Sequence, residues 1–235
     1  MKEYHSKQHD DAPKSGSGVL SSTQEQAAGV GGLSVIFDFD GTIADSLPVV
    51  SELFYEWAKI EPFSSEQIER LRNTALKDAL KEVGIPLWRL PSLMVTARSK
   101  FGKRIADVPI FKGIPDILGQ LHSDGYTLYL MSSNGPQNIR RFLRRHKIIQ
   151  YFSGIHGNTG LFGKSAAIRT IIRKYKLDRP SCISIGDETR DVDAAKKARI
   201  KCMAVTWGYN GEKILREHKP DFMVHQPLEL LKLLQ

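Results

Sequence analysis

A rhythm of short apolar runs constrains this chain most. Residues 34–39 (SVIFDF), 126–131 (YTLYLM), 182–185 (CISI) and 201–205 (KCMAV) are near-continuous apolar segments rich in β-branched and aromatic residues. Runs of that length suit strands buried on both faces. Residues 115–123, 137–146, 164–175 and 189–198 instead carry helical spacing. Strands alternating with helices of this size predict βαβ units and a doubly wound α/β fold around a parallel sheet. Folds of this kind bind ligands just beyond the carboxyl ends of their strands. At 235 residues the chain can bury one substantial core, or a main domain carrying a smaller insert.

The alternation breaks between residues 46 and 112, where helical patterns (47–59, 65–83, 91–101) occur without a convincing strand. That stretch is expected to form an inserted helical cap, with residues 33–45 and 113–235 making the core. Residues 1–32 are rich in Ser, Gly, Gln and charge, and read as a flexible leader. No apolar run approaches the ~20 residues needed to cross a bilayer, and the N-terminus is too polar for a secretory signal, so a cytoplasmic location is expected. Cys182 and Cys202 each lie within an apolar β-like run, which predicts buried reduced thiols.

The net charge of +8 leaves an anionic substrate, an acidic partner or a nucleic acid open. The densest basic run, Arg140, Arg141, Arg144, Arg145, His146 and Lys147, has the spacing of a solvated helix face. No stacking aromatics are interleaved with it, which disfavours nucleic acid as a partner.

Asp38-Phe39-Asp40-Gly41-Thr42 ends the first run. A strand that turns at this point can send both carboxylates into one pocket, and such a pair repels unless a cation joins them. A turn would use the same residue types, but a second acidic cluster, Gly186-Asp187-Glu188-Thr189-Arg190-Asp191, directly follows CISI. Asp191 there would serve equally as a helix cap. Magnesium suits carboxylates of this kind, since it takes hard oxygen ligands and is often shared with a substrate phosphate. Ser132 closes the YTLYLM run and can donate to a phosphate oxygen, and Lys164 opens a helical stretch and can neutralise developing charge.

These four segments, in this order, resemble the four signature motifs of the haloacid dehalogenase superfamily, in its phosphoglycolate-phosphatase-like branch. The resemblance spans residues 34–225, and the stretch from Phe111 to Gly125 resembles the usual return from cap to core. It implies a Rossmann-like core under a helical cap, and a Mg2+-dependent phosphatase acting on a small phosphorylated metabolite such as phosphoglycolate, a sugar phosphate or a nucleotide. By the same resemblance Asp38 is the nucleophile and Asp40 the proton-transfer group, while Ser132 and Lys164 hold the phosphoryl oxygens. Asp38, the Asp40 carbonyl, Asp187 and Asp191 would hold the metal. An acid at position 40 disfavours a dehalogenase or a phosphonate hydrolase. A sugar phosphomutase uses the same motifs, and a non-catalytic binding protein acting through its basic surface is the alternative from another class. Substrate choice belongs to the cap, where Trp57, Trp88, Arg89 and Arg98 are candidates, with Asn134, Gly135, Asn138 and residues 206–210 (TWGYN) at the pocket rim.

Overall fold

In the computed structural model, which describes residues 32–160 and 163–234, six strands form one parallel sheet. They are β1 (Ser34–Asp38), β2 (Thr127–Met131), β3 (Phe152–His156), β4 (Cys182–Gly186), β5 (Lys201–Val205) and β6 (Phe222–Val224), in the order β3-β2-β1-β4-β5-β6. The leader expected over residues 1–32 lies, apart from Gly32, outside the described residues.

The central strands are apolar throughout because both of their faces are covered. Val35 and Phe37 of β1, Leu128 and Leu130 of β2 and Met203 and Val205 of β5 join one core cluster. That cluster is completed by α5 (Ile114–Ser123), α6 (Pro136–Arg145) and α10 (Glu229–Leu234). The intervening residues Ile36, Tyr129, Met131, Cys202 and Ala204 point the other way, into a second cluster with α7 (Lys164–Tyr175), α8 (Thr189–Ala198) and α9 (Glu212–Glu217). Alternation of side chains along a strand makes this division automatic. Cys182 and Cys202 are buried free thiols, as expected. On α6, Ile139, Phe142 and Leu143 are buried while Arg140, Arg141, Arg144 and Arg145 are exposed, so the basic run is a solvated helix face.

The sequence pattern missed β3 and β6. Both are edge strands, short and only partly buried, so neither carries a continuous apolar run.

Between β1 and α5 lie α1 (Leu47–Ala58), α2 (Ser65–Arg72), α3 (Leu76–Glu82) and α4 (Leu90–Arg104). The chain enters and leaves this segment side by side. Ala44 bridges Ile110, the Asp45 amide donates to the Pro109 carbonyl at 2.9 Å, and the Phe111 amide donates to the Ile43 carbonyl at 3.1 Å. The single helix expected over 65–83 is two helices. Asn73 turns its amide back to the Glu69 carbonyl (3.1 Å) and Thr74 its hydroxyl to the Arg70 carbonyl (2.8 Å), offering the backbone a competitor to continued helix. The break leaves the Arg72 carbonyl free to accept from the Gly211 amide (2.8 Å) and the Asn210 side chain (3.3 Å), both beyond β5.

Among the described residues no helix is long and apolar enough to cross a membrane.

Candidate active site

In a sheet of this order the chain departs from β1 toward one edge and from β4 toward the other, which opens a crevice between their carboxyl ends. Asp38 is the last residue of β1, Asp187 follows β4, and Ser132 follows β2, β1's other neighbour. The topology therefore gathers three sequence-distant groups at one end of the sheet.

The β1 turn is built around Gly41, whose φ of 79° is open to glycine at little cost. The Phe39 carbonyl accepts from the Ile43 amide (3.0 Å) and the Ala44 amide (2.9 Å), curling the chain so that Asp40 and Thr42 both face the crevice. Thr42 Oγ1 donates to Asp187 Oδ1 at 2.8 Å, and the Tyr209 amide donates to Asp187 Oδ2 at 2.7 Å. Ser132 Oγ donates to Asp40 Oδ2 at 3.2 Å and accepts from the Asn134 amide at 2.9 Å.

Lys164 opens α7, where the helix dipole disfavours a cation. Its company explains its place. Nζ lies 3.0 Å from Asp38 Oδ2 and 2.5 Å from Asp191 Oδ1, with Glu188 Oε1 at 3.9 Å. Burial alone would strip its proton, but Asp191 and Asp38 outweigh burial and hold it charged. Asp191 also caps α8, accepting from the Glu188 amide at 3.0 Å, so the capping role and the charged contact coexist.

Five carboxylates, Asp38, Asp40, Asp187, Glu188 and Asp191, thus share the crevice with two cations, Lys164 and Arg190. Burial first, and then the neighbouring acids, hold Asp38 well above the usual carboxylate range; Lys164 offsets only part of this. Burial, then Glu188 and Asp191, push Asp187 up to about 8. Asp40 is raised by burial to about 6, with hydrogen bonds from Ser46 and Ser132 pulling back. Glu188 goes the other way, because Arg190 at 2.5 Å and Lys164 together outweigh its burial. An excess of buried negative charge of this kind fits a divalent cation. Asp38, Glu188 and Asp191 each present an oxygen within 4.8 Å of the others, an all-oxygen donor set suited to a hard ion.

All six residues singled out from the sequence therefore meet at one crevice. Sequence reasoning gave no role to Glu188, although it lies inside the second acidic segment, nor to Thr42 or Ser46, while Tyr209 and Asn210 of the 206–210 segment do line the cavity rim as expected. The Tyr209 phenol meets Ser46 Oγ at 3.0 Å, and Trp207 Nε1 donates to the Thr42 carbonyl at 3.2 Å, so residues 206–210 brace the β1 turn. Asn134 and Asn138 support the Ser132 loop through a 3.1 Å hydrogen bond between their side chains. Trp57 stacks under the Arg89 guanidinium and Trp88 is 78% exposed; neither tryptophan nor Arg89 faces the cavity beside the crevice, and the Arg98 side chain is outside the description.

Close packing fixes Asp187. A Cβ on Gly41 would fall 2.1 Å from Asp187 Oδ2, and one on Gly208 would fall 2.2 Å from the same atom. Gly208→Ala should therefore displace the Asp187 carboxylate and cost about 1–3 kcal/mol. Urea unfolding of the variant beside the parent protein measures this, and an unchanged midpoint would contradict the packing argument.

Comparison with known proteins places this crevice in a family. The model for haloacid dehalogenase-like hydrolases matches residues 35–205. The phosphoglycolate phosphatase of Synechococcus elongatus is 31% identical over 202 residues, covering 85% of this chain and 95% of its own length. That of Aliivibrio fischeri is 26% identical over 217 residues, with the same two coverages. Among solved structures, a haloacid dehalogenase-like hydrolase from Streptococcus pneumoniae superposes with a TM-score of 0.72 at 23% identity, covering 87% of this chain and 99% of its own. A predicted phosphoglycolate phosphatase of Haemophilus somnus gives 0.68 at 21% identity, over 92% and 100%.

The chain belongs to the haloacid dehalogenase-like hydrolase family. It is an enzyme of the phosphoric monoester hydrolase class, in the phosphoglycolate-phosphatase-like branch.

Proposed function

We propose that the chain is a Mg2+-dependent phosphatase that hydrolyses a small phosphomonoester through a phosphoaspartate at Asp38. The observation that carries this reading is the buried Asp38–Lys164–Asp191 contact at the carboxyl end of β1, beside Asp40. Asp38 would attack phosphorus, forming an Oδ–P bond as the ester P–O bond breaks, while Asp40 delivers a proton to the departing oxygen. Asp40 would then take a proton from a water attacking the same phosphorus, which releases inorganic phosphate and restores the Asp38 carboxylate. Lys164 and Ser132 would hold the phosphoryl oxygens, where charge is spread during transfer. A bound Mg2+, held by Asp38 and the acids after β4, would offset the repulsion between carboxylate and phosphate. Helices α1 to α4 would act as the cap that shields the reaction from water. The mutase alternative has no supporting observation here, and the relatives' shared name favours hydrolysis.

The excess of buried acid makes metal binding measurable without turnover. An acid whose folded pKa lies above its unfolded value binds more protons when folded, so stability falls as pH rises through that interval. For Asp187 the interval runs from the ordinary carboxylate value of 3.8 to about 8. His146 and His156 are shifted downward by burial and act oppositely, but only below their ordinary value of 6.5. Between pH 6.5 and 8, metal-free protein should lose melting temperature, and Mg2+ should restore it; at 100 times the dissociation constant the gain is about 2.7 kcal/mol. Calorimetric scans in chelator and in Mg2+ read both, and a melting temperature indifferent to Mg2+ at pH 8 would sink the metal assignment.

A further inference from the structure

Beside the catalytic crevice lies a cavity of about 270 Å³ whose chemistry is unlike that of the crevice. Val50 and Phe54 of α1, Phe63, Ile68 and Leu71 of α2 and its approach, and Leu76 of α3 line one side, while Glu188, Thr189 and Tyr209 close the other. Glu188 belongs to the carboxylate group around Asp38, and Tyr209 donates its amide to Asp187, so the cavity adjoins the reacting end directly. None of the residues of α2 is buried, and Leu80 is the one buried residue of α3. These helices hold their apolar side chains around open space instead of packing them into a core. Leaving apolar surface wet forgoes about 25 cal/mol per Å², a cost that an apolar ligand would remove.

We propose, resting on the phosphatase reading above, that this cavity receives the alcohol portion of the substrate and that this portion is apolar, an aromatic or aliphatic group in place of the hydroxy acid glycolate. A glycolate ester would bring a carboxylate into the cavity, where it needs a cation. Arg72 is the cationic residue of the lining, and both of its terminal nitrogens are engaged: Nη1 pairs with Glu69 Oε2 at 3.0 Å and Nη2 donates to the Thr206 carbonyl at 2.8 Å, while Nε has no hydrogen-bond partner but is buried out of a ligand's reach. Glu188, on the wall toward Asp38, would repel that carboxylate. An apolar group meets neither obstacle, and pockets of this size and lining commonly bind by apolar contact with a few polar groups at one end.

The test compares kcat/KM of the full-length protein with Mg2+ for benzyl phosphate and hexyl phosphate against phosphoglycolate and glycerol phosphate, reading inorganic phosphate. The apolar esters should lead on the order of tenfold or more. Phe54→Arg should reverse the order, raising the ratio of kcat/KM for phosphoglycolate over benzyl phosphate about tenfold or more. Leu76→Lys, at a position 43% exposed and tolerant of a polar side chain, repeats the test should Phe54→Arg fail to fold. Phosphoglycolate leading in the parent protein, or an unchanged ratio in both variants, overturns the apolar assignment and leaves the phosphatase reading standing. Release of phosphate from no ester overturns the phosphatase reading itself, and the assignment with it.

Discussion

Asp38→Asn should abolish phosphate release, by on the order of 10³-fold or more, and should leave the protein as stable as before or more so. The two halves of that expectation have one cause. Asp38 is 2% exposed, and burial and neighbouring acids make its ionised form costly. The amide keeps the shape, removes one negative charge from a crowded group, and cannot attack phosphorus. Activity assays and melting curves on one preparation separate lost chemistry from lost fold. Turnover near the parent rate would remove Asp38 from the nucleophile's role, and a melting temperature that falls by several degrees would show that its charge is needed structurally.

Lys164→Met should do the reverse to stability. Its ammonium is 4% exposed and touches Asp38 and Asp191, which are themselves almost fully buried. Removing one partner of a buried ionic group leaves uncompensated charge and costs about 3–5 kcal/mol. For a domain of this size each kcal/mol shifts the melting temperature by about 2–4 °C, so a fall of about 10 °C is expected in metal-free protein at neutral pH. The loss should shrink as pH is lowered, because Asp38, held well above the usual carboxylate range by burial, then takes up a proton and the repulsion among the acids is relieved. A destabilisation that is independent of pH would show that the lysine's stem, packed in the crevice, matters more than its charge. Phosphate release should fall alongside, since under the proposed mechanism the same ammonium would hold the transferring phosphoryl group.

The sheet was legible because its central strands are buried on both faces, which leaves nothing but apolar residues in 34–37, 128–131 and 202–205 apart from a single serine at one end. The edge strands β3 and β6 escaped notice because a half-exposed strand needs no such run. Within the insert, a pattern spanning 65–83 was continuous in hydrophobicity, yet Asn73 and Thr74 carry side chains that compete for backbone carbonyls. Only contact with the 206–211 loop selects the broken form, because the Arg72 carbonyl is needed there. At the site, motif spacing singled out acids and a lysine that the fold brings into one crevice. It left Glu188 without a role, because whether a residue flanking Asp187 faces the crevice depends on the turn from β4 into α8.

By itself, then, the sequence determined the central strands β1, β2, β4 and β5, their alternation with helices, and the residue types able to handle phosphate. Periodicity is local, and hydrophobic burial acts through it directly. Only the tertiary structure decided which acids meet Lys164, which glycines press on Asp187, and that the helices beyond β1 surround an apolar cavity and not a cationic one. Those outcomes depend on distances between residues as far apart as Thr42 and Asp187, set by the crossing of the sheet at its centre.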